Sequence, residues 1–281
     1  MAPAPAPDTF PNEGTRVMFV GDSITGSPGC WRAPLWVTLT DAGHDVNMVG
    51  IRTENACGNV VNAAGDPWDP DNTGIGGITT TKMWVKLAQD EVLASTDPDV
   101  IVQLLGTNDL FGGATAEQVI AQYAKLVELY REYDPTISVV LGTPPPMSEE
   151  TCGCNDVVAE LATALPTWAA SVSTPEARVM VADLTTGFDP ATDTYDGIHP
   201  SDSGTAKLAE AWAPVVSAAL DARERAVQPE PAPSTMPTLD ATPTDEAATA
   251  SGTLATLGWA ALGLAAITAV AVFLRARRRQ T

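Results

Sequence analysis

The run Val17-Met18-Phe19-Val20-Gly21-Asp22-Ser23-Ile24-Thr25 decides how the chain is read. Four β-favouring apolar residues lead straight into a glycine, the pattern of a buried strand stopping at a turn. A serine just past the carboxyl end of a strand stands where open α/β sheets hold their ligands. If a helix follows, its first N–H groups point at the same spot and favour developing negative charge. Asp-Ser after a strand is also an ordinary turn with a helix N-cap. The weight therefore falls on what the rest of the chain places around Ser23.

Strand and helix patterns alternate outward from that run. Residues 30–42 have helical spacing at Trp31, Leu35 and Leu39, and Val46–Ile51 reads as a second strand. Residues 52–77 are polar and rich in Gly, Asn and Asp; a loop of that length in a compact domain is expected to be functional. A helix is predicted over 79–93, a strong buried strand over 99–106, and an amphipathic helix over 115–132. Ile137–Gly142 and Arg178–Leu184 complete the strands, with helices over 155–171 and 202–224. Such alternation implies right-handed crossovers and a parallel sheet covered on both faces. The expected fold is α/β: a three-layer α/β/α sandwich about five parallel strands, flavodoxin-like, followed by a C-terminal transmembrane helix.

The ends differ from the middle. Residues 1–14 are Ala/Pro-rich and read as disordered, 15–225 as the globular domain, and 226–252 as a Pro/Thr/Ala-rich linker. Residues 253–274 are almost wholly apolar, long enough to cross a bilayer as a helix. The tail 275–281 holds Arg275, Arg277, Arg278 and Arg279. Positive charge prefers the cytoplasmic side, which puts the domain outside the membrane. Residues 1–14 carry no secretory pattern, so either an export signal upstream of Met1, the preferred reading, or a tail-anchored protein is expected. No Leu-Pro-x-Thr-Gly-like wall-sorting motif precedes the span, so simple anchoring is expected.

Lys and Arg number 15 against 35 Asp and Glu, a formal charge of −20. That surface repels phosphates and excludes nucleic acid as a partner. Four cysteines in an exported chain point to disulfides. Cys30 with Cys57 can clip the loop after the first helix, while Cys152-Gly-Cys154 can close locally or pair elsewhere. Two histidines in the whole chain leave a zinc site poorly supplied.

Four loops after strand ends carry groups suited to acyl transfer. Gly21-Asp-Ser23 follows the first strand, Gly74-Ile-Gly76-Gly77-Ile-Thr-Thr closes the long loop, Gly106-Thr-Asn108-Asp109 follows the third strand, and Tyr195-Asp196-Gly-Ile-His199-Pro200 follows the fifth. His44 falls at the opposite sheet edge and reads as a surface turn residue. His199 shares the edge of Ser23, and Asp196 three residues earlier can reach its Nδ1 through one turn. The Ser23 and Gly77 N–H groups and the Asn108 amide can supply fixed donors to an oxyanion. Among the tryptophans, Trp31 and Trp84 have the spacing of core residues. Trp68, in a polar loop, is the candidate for stacking on a sugar.

These four blocks, in this order, resemble those of the SGNH (GDSL-type) hydrolases, and the resemblance spans about 16–220. It implies Ser23 as nucleophile, His199 as general base and Asp196 as its partner. It also implies Ser23, Gly77 and Asn108 as oxyanion donors, with Gly76 the alternative to Gly77, and no metal or cofactor. Cys30-Trp31-Arg32, His44-Asp-Val-Asn-Met-Val-Gly50 and Asp69-Pro-Asp-Asn-Thr-Gly74 are similar to secreted carbohydrate esterases of the acetylxylan esterase type (carbohydrate esterase family three). The glycine loop departs from that group's Gly-His-Ser-Gly-Trp pattern. The expected substrate is a short, acetyl-type ester on a polysaccharide or surface glycan, with Trp68 and Asp109 as substrate contacts. A lipid esterase or lysophospholipase on the same triad, and a silent membrane-tethered glycan-binding domain, are the rival readings.

Overall fold

The strand run quoted first becomes β1 (Thr15–Gly21), and the sheet grows from it in both directions. The structure is a computed structural model describing residues 14–26, 29–54 and 56–227. After β1 come α1 (Ser23–Gly26), α2 (Arg32–Asp41), β2 (Val46–Val49) and β3 (Thr73–Gly74). Then follow α3 (Thr80–Gln89), α4 (Val92–Thr96), β4 (Val100–Leu104), α5 (Thr107–Phe111) and α6 (Ala116–Tyr133). The series ends with β5 (Ser138–Gly142), α7 (Asn155–Val172), β6 (Val179–Ala182), α8 (Pro190–Asp193) and α9 (Asp202–Val227). The strand order is β2-β1-β4-β5-β6, all parallel, with the two-residue β3 added beside the end of β1.

Each strand serves two cores, which is why its sequence is apolar without alternation. Val17 and Phe19 face one cluster with Leu35, Leu39, Trp212 and Val216 from α2 and α9. Met18 and Val20 face the other, with Met83, Tyr123, Leu126 and Leu161 from α3, α6 and α7. This is the three-layer α/β/α arrangement. The chain leaves β1 towards β2 on one side and returns to β4 on the other. That reversal opens a crevice at the carboxyl ends of β1 and β4, where such sheets bind ligands.

Besides the short helices α5 and α8, which the sequence pattern does not mark, two further elements depart from the sequence reading. The helix over 79–93 is broken into α3 and α4 at Asp90 and Glu91, where Glu91 takes a left-handed φ of 51°. The break turns Val92 and Leu93 into the core. The long loop also contains β3, whose Thr73 and Gly74 pair with Val20 and Gly21. Pairing there straps the glycine loop to the end of β1, and Ile75 N–H donates to the Gly21 carbonyl at 3.0 Å.

Both disulfides form as the spacings allowed, Cys30–Cys57 and Cys152–Cys154. Helix α9 runs two residues into the expected linker. The predicted membrane span 253–274 and the flanking 1–13 and 228–281 lie outside the described residues. Among the described residues no helix is long and apolar enough to cross a membrane.

Candidate active site

Ser23 stands at the turn from β1 into α1, in the crevice beside β4. The fully buried Asp22 shapes that turn: its Oδ1 accepts the Ile24 N–H at 3.0 Å, and its carbonyl accepts from Gly26 at 2.9 Å. From the far side of the same sheet edge, His199 Nε2 lies 2.9 Å from Ser23 Oγ. His199 Nδ1 lies 2.7 Å from Asp196 Oδ2. A carboxylate only accepts, so Nδ1 carries the proton and Nε2 is left to accept from the serine hydroxyl. The three groups form one unbroken chain.

The Asp196–His199 turn is held from several sides. Asp196 Oδ1 accepts from the Ile198 and His199 N–H groups at 3.0 and 2.8 Å. Burial pushes the Asp196 carboxyl up. The His199 backbone N–H and imidazole, with the Ile198 N–H, outweigh it and hold the carboxyl below its usual range. Gly197 takes a φ of 88°, a conformation that glycine adopts without strain. The Ser148 N–H donates to the Gly197 carbonyl at 2.8 Å, so the segment leading to the Cys152–Cys154 disulfide braces the turn. At its start, buried Asp193 bonds Lys207 Nζ at 2.6 Å and Ser203 Oγ at 2.7 Å, pinning the segment to α9.

The third edge of the site comes from β3 and β4. A side chain at Gly76 would point at Ser23, its Cβ 4.0 Å from the serine Cβ, so the Gly76–Gly77 segment passes beside Ser23. Gly77 has open space around it but a φ of 69°, so glycine there meets a backbone requirement. Asn108, on α5 after β4, donates from Nδ2 to the Ile78 carbonyl at 3.1 Å and to Asp22 Oδ2 at 3.3 Å. Asp109 grips α3, accepting from Thr80 N–H at 2.9 Å and Thr80 Oγ1 at 2.6 Å. Its two carboxylate oxygens hold the glycine loop's exit against α5.

Of Trp31, Trp68 and Trp84, two differ in burial from the sequence reading. Trp68, expected as an open stacking face, is 2% exposed. The Arg32 guanidinium lies over its ring, 5.2 Å from the centroid. Arg32 in turn donates to the Thr25 carbonyl at 2.9 Å and the Pro70 carbonyl at 2.8 Å, tying the long loop to the turn that carries Ser23. Burial pulls that guanidinium down to about 10, against the nearby charges of Asp69 and Asp71. Trp84, expected in the core, is 36% exposed on α3, whereas Trp31 is buried and stacks on Trp212 at 5.5 Å. The sequence reading also passed over Tyr195, which is 62% exposed and stacked on the His199 imidazole, 5.8 Å between ring centres and 18° between planes. Its position next to Asp196 was the available signal.

His44 lies away from this constellation. It is not a solvated turn residue: its side chain is largely buried, with Nε2 2.7 Å from Ser217 Oγ and Nδ1 3.5 Å from Glu224. His44, Asp221 and Glu224 bring ligand-type atoms within 4.8 Å of one another. His44 fastens the turn before β2 to α9 and takes no part at Ser23.

A serine hydroxyl, an imidazole with its proton placed by a carboxylate, and donors converging from separate loops together suit acyl transfer. The sequence profile of the GDSL-like lipase/acylhydrolase family matches residues 19–207, the span that holds all four blocks. The chain belongs to this family. Membership makes it an ester hydrolase of the GDSL type. Among solved structures it is similar to a carbohydrate esterase of family 3 from Talaromyces cellulolyticus, at 28% identity over 74% of this chain and 98% of that one, with a TM-score of 0.64. It is similar to an acetyl esterase variant crystallised with acetate ion, at 27% identity over 74% and 98%, with the same TM-score. A family 3 carbohydrate esterase from Clostridium thermocellum, 24% identical over 75% and 98% with a TM-score of 0.59, shares the fold. No curated protein matches the chain.

Proposed function

We propose that this GDSL hydrolase is a serine esterase that removes short acyl groups, acetyl foremost, from a carbohydrate. The observation that carries the chemistry is the continuous Asp196–His199–Ser23 relay at 2.7 and 2.9 Å. His199 Nε2 takes the Ser23 proton as Oγ attacks the ester carbonyl carbon. The carbonyl electron pair moves to oxygen, where the N–H groups of Ser23 and Gly77 and the Asn108 amide stabilise it. Collapse breaks the bond to the alcohol, which leaves with the proton from His199. Water, deprotonated by the same imidazole, then attacks the acyl-serine, and the acid leaves as Ser23 regains its proton. Asp196 keeps the imidazole in the required tautomer and stabilises its cation.

The acetyl and carbohydrate parts of the reading rest on likeness to the Talaromyces carbohydrate esterase and the acetyl esterase. The acidic surface agrees with a neutral glycan as substrate, since it repels anionic esters. The cell-surface placement rests on the apolar run 253–274 followed by four arginines, which reads as a single span with the catalytic domain outside. Hydrolysis of p-nitrophenyl acetate and octanoate by the intact chain, beside Ser23→Ala, tests the proposal. Faster turnover of acetate, lost in the variant, is the expected result. Preference for octanoate would replace the acetyl reading with a lipid-directed one, and undiminished turnover by Ser23→Ala would refute the mechanism.

A further inference from the structure

A fully buried carboxylate beside the nucleophile has no part in the steps above. Asp22 has no exposed surface, yet its two oxygens serve two different loops. Oδ1 accepts the N–H of Ile24, the residue after the nucleophile, at 3.0 Å, and Oδ2 accepts from Asn108 Nδ2 at 3.3 Å. The turn alone does not need an acid. An asparagine or serine at this position also accepts an N–H two residues on. Only an ionised carboxylate accepts on both oxygens while presenting no donor of its own.

The Asn108 amide shows what the second oxygen does. Its Nδ2 has two hydrogens, and they are directed to the Ile78 carbonyl at 3.1 Å and to Asp22. Both partners are acceptors, so the nitrogen must face the serine side. A flipped amide would set oxygen against two oxygens. The Ile78 bond and the Asp22 bond together fix the plane of the amide. The longer of the two, to Asp22, is the one an incoming oxyanion can share. We infer that Asp22 is a positioning residue: its carboxylate ties the turn bearing Ser23 to the Asn108 amide, and so sets the oxyanion donor in register with the nucleophile.

The surroundings agree with a group held for geometry. Burial pushes the Asp22 carboxyl up to about 6, against the Ile24 N–H, the Thr107 hydroxyl and the nearby His199 imidazole, while Asp109 adds to the rise. It is therefore charged at neutral pH in a place where charge is costly. The inference rests on Asn108 serving as an oxyanion donor, and the test separates the two.

The test is a double-mutant cycle on the intact chain, with kcat and KM for p-nitrophenyl acetate and thermal unfolding of each variant. Asn108→Ala should lower kcat by about 10²–10³, the usual loss of one oxyanion donor. Asp22→Asn leaves an N–H facing either Ile24 or Asn108 and should lower kcat by about tenfold or more, with KM changed less, as for a contact felt in the transition state. In the Asn108→Ala background, Asp22→Asn should cost almost nothing further, because the group it acts through is gone. Asp22→Ser keeps an acceptor for the turn but is too short to reach Asn108, and should reproduce the loss from a folded protein. Losses that multiply, or a normal kcat in Asp22→Ser, would overturn the role of Asp22. A normal kcat in Asn108→Ala would instead strike the oxyanion reading on which it depends.

Discussion

Asp22 should leave a signature in stability as well as in rate. Its carboxyl rises from the ordinary 3.8 to about 6 on folding, with burial as the largest cause. A rise of roughly 2 units corresponds to about 3 kcal/mol between the two protonation states. The sign follows from proton uptake. Between 3.8 and 6 the folded chain holds a proton on Asp22 that the unfolded chain has released, so this contribution is fully present below 3.8 and lost as pH rises through 6. Asp22→Asn has no such proton. The stability of the parent minus that of the variant should therefore fall by about 3 kcal/mol from pH 3.5 to pH 7.5. Other acids, including the depressed Asp196, titrate in both proteins and largely cancel in the difference. Urea unfolding of both proteins at pH steps across this range measures it. A difference that stays flat, or that grows as pH rises, would refute a buried carboxyl with a raised pKa.

Three further outcomes follow from the geometry. His199→Ala should lower kcat on p-nitrophenyl acetate by at least about 10³ with far-UV circular dichroism unchanged, and near-normal turnover would break the relay. Replacing Cys30 and Cys57 together by serine opens a loop with a sequence separation of 27 and should cost about 3–4 kcal/mol in unfolding free energy; a loss under about 1 kcal/mol would place the loop's order elsewhere. Tyr195→Ala removes an exposed ring stacked on His199 and should reduce kcat/KM about two- to tenfold on acetylated oligosaccharide, while Tyr195→Phe keeps the ring and should retain activity; equal losses in both would assign the effect to the hydroxyl.

Ser23, Gly77 and Asn108 were legible as candidates because each sits within a few positions of a strand end, whereas Asp196 and His199 lie well past the end of β6 at Ala182 and were read from their mutual spacing. An apolar run stopping at glycine marks a strand end by local pattern alone, and a parallel sheet brings all such ends to one edge. Ser23, Asn108 and the Asp196–His199 pair therefore converge as their order in the chain implied, and the three-residue spacing sufficed to put a carboxylate on Nδ1. What lay inside the long loop was not legible. Whether Trp68 faced solvent depended on Arg32 reaching across from α2, and the polar neighbours of Trp68 in sequence carried no sign of that cover. Asp109 likewise meets Thr80 across the interface of α5 with the start of α3, a contact between segments apart in the chain. The amino-acid sequence by itself determined the layers, the strand ends and the candidate residues for the site, since these follow from short-range periodicity and spacing. Tertiary structure alone decided which aromatic rings stay open, which acids are spent on bracing, and that Asp22 joins two loops, because burial is set by segments remote in the chain.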